Sequence, residues 1–141
     1  LGITCGSQPE YDRDWPKLAG IDARVRFISY EPALGPLRVS GNRLPSWIIC
    51  GGESGPSARP MHPDWARAIR DDCQRAGIAF LFKQWGEWAP SEDHPMAAEE
   101  LPWGPESCQG MSRVGKKAAG RLLDGREWNG LPVVSDKAEA A

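Results

Sequence analysis

Three short, mostly apolar segments most constrain what this chain can become. They are residues 25–30 (VRFISY), 47–50 (WIIC) and 79–83 (AFLFK), each closed by Pro, Gly or polar residues. Apolar residues at successive positions, without clean alternation, suit parallel strands covered on both faces. Residues 1–5 are a candidate fourth strand. Between the second and third runs lies the clearest helix, residues 63–76, with Trp65, Ala68, Ile69, Cys73 and Ala76 on one predicted face. Pro63 suits its first position, Asp64 its positive end, and Gly77 its left-handed termination. Strand, loop, helix and strand make a βαβ unit, whose crossover is right-handed.

A shorter helix over residues 14–19, with Pro16 in its first turn, is predicted to link the first two strands. Residues 31–46 contain Pro32, Pro36, Pro45, Gly35 and Gly41, so that connection reads as loop. After Trp88 the periodicity fails. Residues 89–110 hold Pro90, Pro95, Pro102 and Pro105 and read as irregular structure, and residues 113–123 as a short helix closed by Gly125. The expected fold class is α/β: about half of a TIM-like barrel, with three or four parallel strands and crossover helices. The expected division is a partial barrel unit over residues 1–88 and an irregular, Pro/Gly-rich C-terminal extension over residues 89–141. The extension wraps the unit and is not an independent domain.

Composition narrows the function classes. The chain has 141 residues, the size of one domain, and 17 Lys and Arg against 19 Asp and Glu, so no global field draws it to nucleic acid or anionic lipid. Any nucleic-acid site must be local. The longest apolar run, residues 78–82, is far below the roughly 20 residues of a membrane-spanning helix. Cys5, Cys50, Cys73 and Cys108 stand apart, with no C-x-x-C and no metal-ligand spacing, which reads as reduced, buried thiols in a cytoplasmic protein. The chain also lacks an initiator Met and begins as though cut from something longer.

In parallel α/β sheets the site sits at the carboxyl ends of the strands, where loops converge. Here those ends carry Glu31, then Gly51, Gly52, Glu53, Ser54 and Gly55, then Lys83, Gln84 and Trp85. Neighbouring strands lie about 4.8 Å apart, so Glu31, Glu53 and Lys83 are candidates to meet across one rim. They form either a ligand site or an ion pair closing the barrel mouth. The glycines of the 51–55 loop allow a close backbone approach to a ligand, or make a simple turn. Arg59 is the nearest candidate for a phosphate or carboxylate. Three further readings stay open. Glu31 and Glu53 match the residue types of a carboxylate-pair hydrolase. Trp85 and Trp88 offer a stacking platform for a base or sugar, or are buried under the tail. Lys116, Lys117, Arg121 and Arg126 form either a phosphate patch or a solvated face, and with the tryptophans the former would make the chain a noncatalytic nucleic-acid or partner-binding module.

Residues 26–36 (RFISYEPALGP), 47–63 (WIICGGESGPSARPMHP), 82–86 (FKQWG) and 114–128 (VGKKAAGRLLDGREW) resemble, in order, the phage Gp37/Gp68 family. The resemblance implies a TIM-barrel-like fold related to radical S-adenosylmethionine enzymes. It also implies an N-terminal half, carrying closely spaced cysteines for an iron–sulfur cluster, that this chain lacks. No cofactor is then expected for this chain alone, whereas S-adenosylmethionine and an iron–sulfur cluster belong to the full-length protein. The expected partner is the N-terminal half, or another copy, covering the exposed strand edges. Glu31, Gly51, Gly52, Glu53, Ser54, Gly55, Arg59, His62, Lys83, Gln84 and Trp85 fall in the shared motifs, with no role attached by the resemblance.

Overall fold

The computed structural model describes residues 1–93 and 110–134. Four strands, β1 (Gly2–Thr4), β2 (Phe27–Tyr30), β3 (Trp47–Gly51) and β4 (Ala79–Gln84), form one parallel sheet in the order β1-β2-β3-β4. Chain order and spatial order coincide, as in consecutive strands of an α/β barrel. The fold is therefore α/β, compatible with a partial barrel.

The register lines up the sheet in rows. Ile28, Ile48 and Phe80 sit side by side, as do Tyr30, Cys50 and Phe82, and all six are buried. This face is the core. It is covered by helix α1 (Gln8–Ala19), which packs on β1, and helix α2 (Pro63–Ala76), which packs on β3 and β4. The opposite face carries Phe27, Trp47 and Ala79 in one row and Ser29, Ile49 and Leu81 in the next, all only half-buried. Side chains alternate across a strand, so this half-open face is the one that would line a barrel.

Helix α1 starts earlier than the predicted residues 14–19. Its first-turn proline is Pro9, and Pro16 lies inside the helix. Tyr11, Trp15, Leu18 and Ala19, at offsets 0, 4, 7 and 8, are its buried stripe, hidden in sequence among charged residues. Helix α2 has the predicted bounds. His62 caps it by accepting the Asp64 N–H at Nδ1 (3.1 Å), and Gly77 ends it at φ 69°. The buried face is rotated from the expected one: Ala66, Ile69, Asp72 and Cys73 are buried, while Ala76 is exposed. The rotation follows from Asp72, which receives a two-pronged contact from Arg38 in the loop before β3, Nε to Oδ2 at 2.6 Å and Nη2 to Oδ1 at 2.8 Å.

The segment after Trp88 is more regular than expected. Strand β5 (Trp88–Pro90) pairs antiparallel with β6 (Met111–Arg113). The predicted helix over 113–123 shrinks to α3 (Lys116–Ala119), because Gly120 leaves helical geometry at φ 65°, ψ −152°. Residues 128–130 then run antiparallel along the outer edge of β4. Phe82 N–H donates to Trp128 O at 3.0 Å and Gly130 N–H to Phe80 O at 2.8 Å. A Cβ at Gly130 would stand 2.5 Å from Phe80 O, so only glycine allows this approach. Asp124 pins the same tail to α2 by ion pairs with Arg67 (2.8 Å) and Arg70. The β4 edge is thus covered by the chain itself, whereas β1, among the described residues, pairs only with β2. His94, Cys108 and most of the acidic stretch between residues 91 and 106 lie outside the described residues.

Candidate functional site

The rim residues divide into two groups rather than one. Lys83 Nζ donates to Glu31 Oε2 at 2.9 Å, and Gln84 Nε2 reaches Ser54 Oγ at 3.0 Å, with longer contacts of 3.4 Å to Glu31 Oε1 and Gly52 O. Glu31, Ser54, Lys83 and Gln84 therefore form one polar cluster above β2, β3 and β4. A register shift between Cys50 and Gly51 puts Gly51 opposite Gln84. Gly51 also lies beneath Glu31, where a Cβ would come within 3.2 Å of Oε1.

Glu53 does not join this cluster. It is held by Arg59, whose Nε and Nη2 donate to its two oxygens at 2.9 Å each, while the Arg59 backbone N–H adds a third bond at 2.8 Å. Hydrogen bonding to this guanidinium keeps the Glu53 carboxyl below its ordinary pKa. The two strand-end carboxylates are engaged by different cations, Glu31 by Lys83 and Glu53 by Arg59, and do not share a hydrogen-bonded cluster. Arg59 is likewise already matched by Glu53 and is not the free anion ligand its position suggests.

The glycines serve the protein's own backbone. A Cβ on Gly52 would fall 1.9 Å from Trp85 O, and one on Gly86, at φ 88°, would fall 2.0 Å from Glu53 O. Gly52 N–H donates to Gln84 O at 2.9 Å and Glu87 N–H to Glu53 O at 3.0 Å, which laces the two loops together. The close approach expected for a ligand at Gly52 is made by this neighbouring loop instead. Gly55 N–H donates to Glu87 Oε1 at 3.1 Å, and Arg113 Nη2 donates to Pro56 O at 2.8 Å, two supports that the sequence reading missed. Of the two readings of the tryptophans, burial is the one the structure shows. Trp85 and Trp88 are buried, with their indole N–H groups donated to Leu122 O and Ala58 O at 2.8 Å each.

Below the polar cluster the half-open face forms a cavity of about 420 Å³. Its walls include Ser29, Trp47, Ile49 and Leu81 from the sheet, with Arg121 and Asn129 contributed by the tail. Glu31 and Lys83 stand at its carboxyl-end margin. The strand residues were readable in principle, because 27, 29 and 31, 47, 49 and 51, and 81 and 83 share one face at period two. Arg121 and Asn129 carried no such signal, since only the long-range pairing of residues 128–130 with β4 brings them there.

A family profile matches residues 1–132, nearly the whole chain. The chain belongs to the family described as Protein of unknown function (DUF5131). No curated protein and no solved structure matches it. The family description carries no activity, so the chemistry must be read from the side chains of this DUF5131 chain. Cys5, Cys50 and Cys73 are free and buried. Burial pushes the Cys5 and Cys73 thiols up to about 12 and the Cys50 thiol up as well, which keeps all three protonated and poor as metal ligands. Among the described residues, no group of three His, Cys, Asp or Glu side chains could hold a metal ion, and no helix is long and apolar enough to cross a membrane.

Proposed function

We propose that this chain is the C-terminal portion of a phage Gp37/Gp68-like protein related to radical S-adenosylmethionine enzymes, and that it supplies a ligand-binding rim to a barrel completed by another segment. The asymmetry of the two sheet edges carries this reading. The chain caps β4 with residues 128–130 but leaves β1 with one neighbour among the described residues, and Gly2 and Thr4 on β1 are exposed. An open parallel strand edge is a ready template for another strand. The half-open rows of Phe27, Trp47, Ile49 and Leu81 support the same reading, because a sheet extended and curled from the β1 edge would bury such rows as its interior.

Among the described residues, no group of three His, Cys, Asp or Glu side chains is placed to hold a metal centre of the proposed whole protein. The three described thiols are buried and held protonated, which does not fit an iron–sulfur cluster bound by thiolates. Cluster chemistry would therefore belong to the completing segment, and the present chain would orient and enclose what binds at the rim. Translation of the reading frame upstream of Leu1 tests this. A segment with closely spaced cysteines, in frame, is the expected result. A start codon with no such segment would sink the proposal.

A further inference from the structure

The cavity on the half-open face holds one cation without a carboxylate. Its ionic lining consists of Glu31, Lys83 and Arg121. Lys83 is matched by Glu31 at 2.9 Å. Arg121 makes no ion pair among the described residues, and its Nη2 donates to a neutral acceptor, Asn129 Oδ1. Two donors in the same lining are also unmatched: Arg121 Nε and Trp47 Nε1 are shielded from solvent and have no acceptor. Leaving a shielded donor without an acceptor costs about 1–3 kcal/mol, more for a charged group. A bound acceptor of negative charge would recover that cost. Of the remaining walls, Trp47, Ile49 and Leu81 are largely apolar and Ser29 contributes a hydroxyl.

We propose that this cavity binds a small organic anion, its carboxylate or phosphate set against Arg121 and its apolar or aromatic body against Trp47, Ile49 and Leu81. The inference deepens the rim reading and rests on it for the meaning of the site, while the binding itself is a property of this chain. Lining charge sets the preference for an anion: two cations against one carboxylate leave a net positive site. The apolar walls exclude bare inorganic ions as the preferred occupant, since these would leave that surface unfilled. Glu31 competes for Lys83 at the margin and so limits the affinity.

Calorimetric titration of the chain with naphthalene-2-carboxylate, 2-naphthyl phosphate and the neutral naphthalene-2-carboxamide tests this. At least one anion is expected to bind one-to-one and about tenfold or more tighter than the amide, the scale of a charge-assisted contact. The tighter of the two anions identifies the head group. Arg121→Gln should reduce the anion to the level of the amide, and Arg121→Lys should restore most of the difference. Glu31→Gln frees Lys83 and should strengthen anion binding several-fold, an effect that no loss of folding can mimic. Equal binding of anion and amide, no binding of either, or no gain in Glu31→Gln would overturn the proposal. Failure of the barrel reading is distinguishable, because it is read from the upstream frame and not from binding.

Discussion

Lys83 and Glu31 meet at 2.9 Å although they belong to strands β4 and β2, which have β3 between them. Two strand spacings are roughly 10 Å, so two long side chains must reach over the intervening strand. Gly51 makes this possible by presenting no side chain beneath the bridge. The pair is half open to solvent, with the Lys83 side chain 54% exposed. Exposed pairs of this kind contribute about 0–1 kcal/mol. A double-mutant cycle of Glu31→Gln and Lys83→Met, followed by urea unfolding, should therefore give a coupling below about 1 kcal/mol. A coupling above about 2 kcal/mol would make the pair a structural clasp.

Neighbouring glycines should respond very differently to the same substitution. In Gly51→Ala the new methyl meets the movable end of Glu31 at 3.2 Å, so a cost of about 1 kcal/mol or less is expected. In Gly52→Ala it meets the Trp85 carbonyl at 1.9 Å, within backbone that Gly52 and Gln84 lock by their own hydrogen bond. Backbone cannot swing aside as a side chain can. Gly52→Ala should cost several times more than Gly51→Ala, about 3 kcal/mol or above, measured by thermal or urea unfolding.

Acid should unfold the chain through its arginine-paired carboxylates. Burial works against ionisation of Asp72, yet hydrogen bonds from Arg38 hold its carboxyl below the ordinary value. Asp124 is lowered in the same way by Arg70 and Arg67, against burial. A depressed folded pKa contributes stability above the unfolded value, about 3.9 for Asp, and that contribution is lost as pH falls through the folded value. The buried thiols act at the other end. Their raised values, about 12 for Cys5 and Cys73, contribute stability that is full below about 8.5 and lost as pH rises toward the folded value. Stability against pH should thus show a plateau between about 5 and 8 with a fall on each side. Asp72→Asn should flatten the acid limb, and Cys73→Ala the alkaline one. An acid limb unchanged in Asp72→Asn would show that the Arg38 pair is not coupled to folding.

The sheet was legible because its strands are short apolar runs ending in Gly, Pro or charge, and the α2 helix because His62, Pro63 and Gly77 bracket an apolar stripe. Helix α1 was half hidden. Pro16 looks like a helix start, but Pro9 occupies the first turn and Pro16 is accommodated inside. Strand-end carboxylates were found by position, yet sequence carries no information on which way a loop side chain turns. Glu31 goes to Lys83 and Glu53 to Arg59, six residues on. The glycines of the 51–55 loop left a ligand contact and a simple turn open, because a close approach by another loop looks identical in sequence. Least legible was the tail, since the place of Arg121 in the cavity that Trp47 also lines depends on residues 128–130 finding β4.

That tail should prove essential for limiting association through the β4 edge. Residues 128–130 satisfy Phe82 N–H and Phe80 O, and the Trp128 ring packs edge-on against Phe80 at 6.1 Å. Arg126 stacks over the same indole at 3.9 Å, so the strap is held by side chains as well as backbone. Removing residues 126–141 would expose the edge of the longest strand in the sheet, whose residues 80–82 are Phe, Leu and Phe. Unpaired apolar edges associate. Sedimentation velocity of the shortened chain should accordingly show concentration-dependent association beyond that of the intact chain. Gly130→Val offers a gentler version, because its side chain cannot fit 2.5 Å from Phe80 O and should lift the strap locally. If both variants sediment like the intact chain, the strap is decoration and the β4 edge is protected by something else. If both associate, the chain closes one edge of its sheet with its own tail, and β1 is the edge left for a partner.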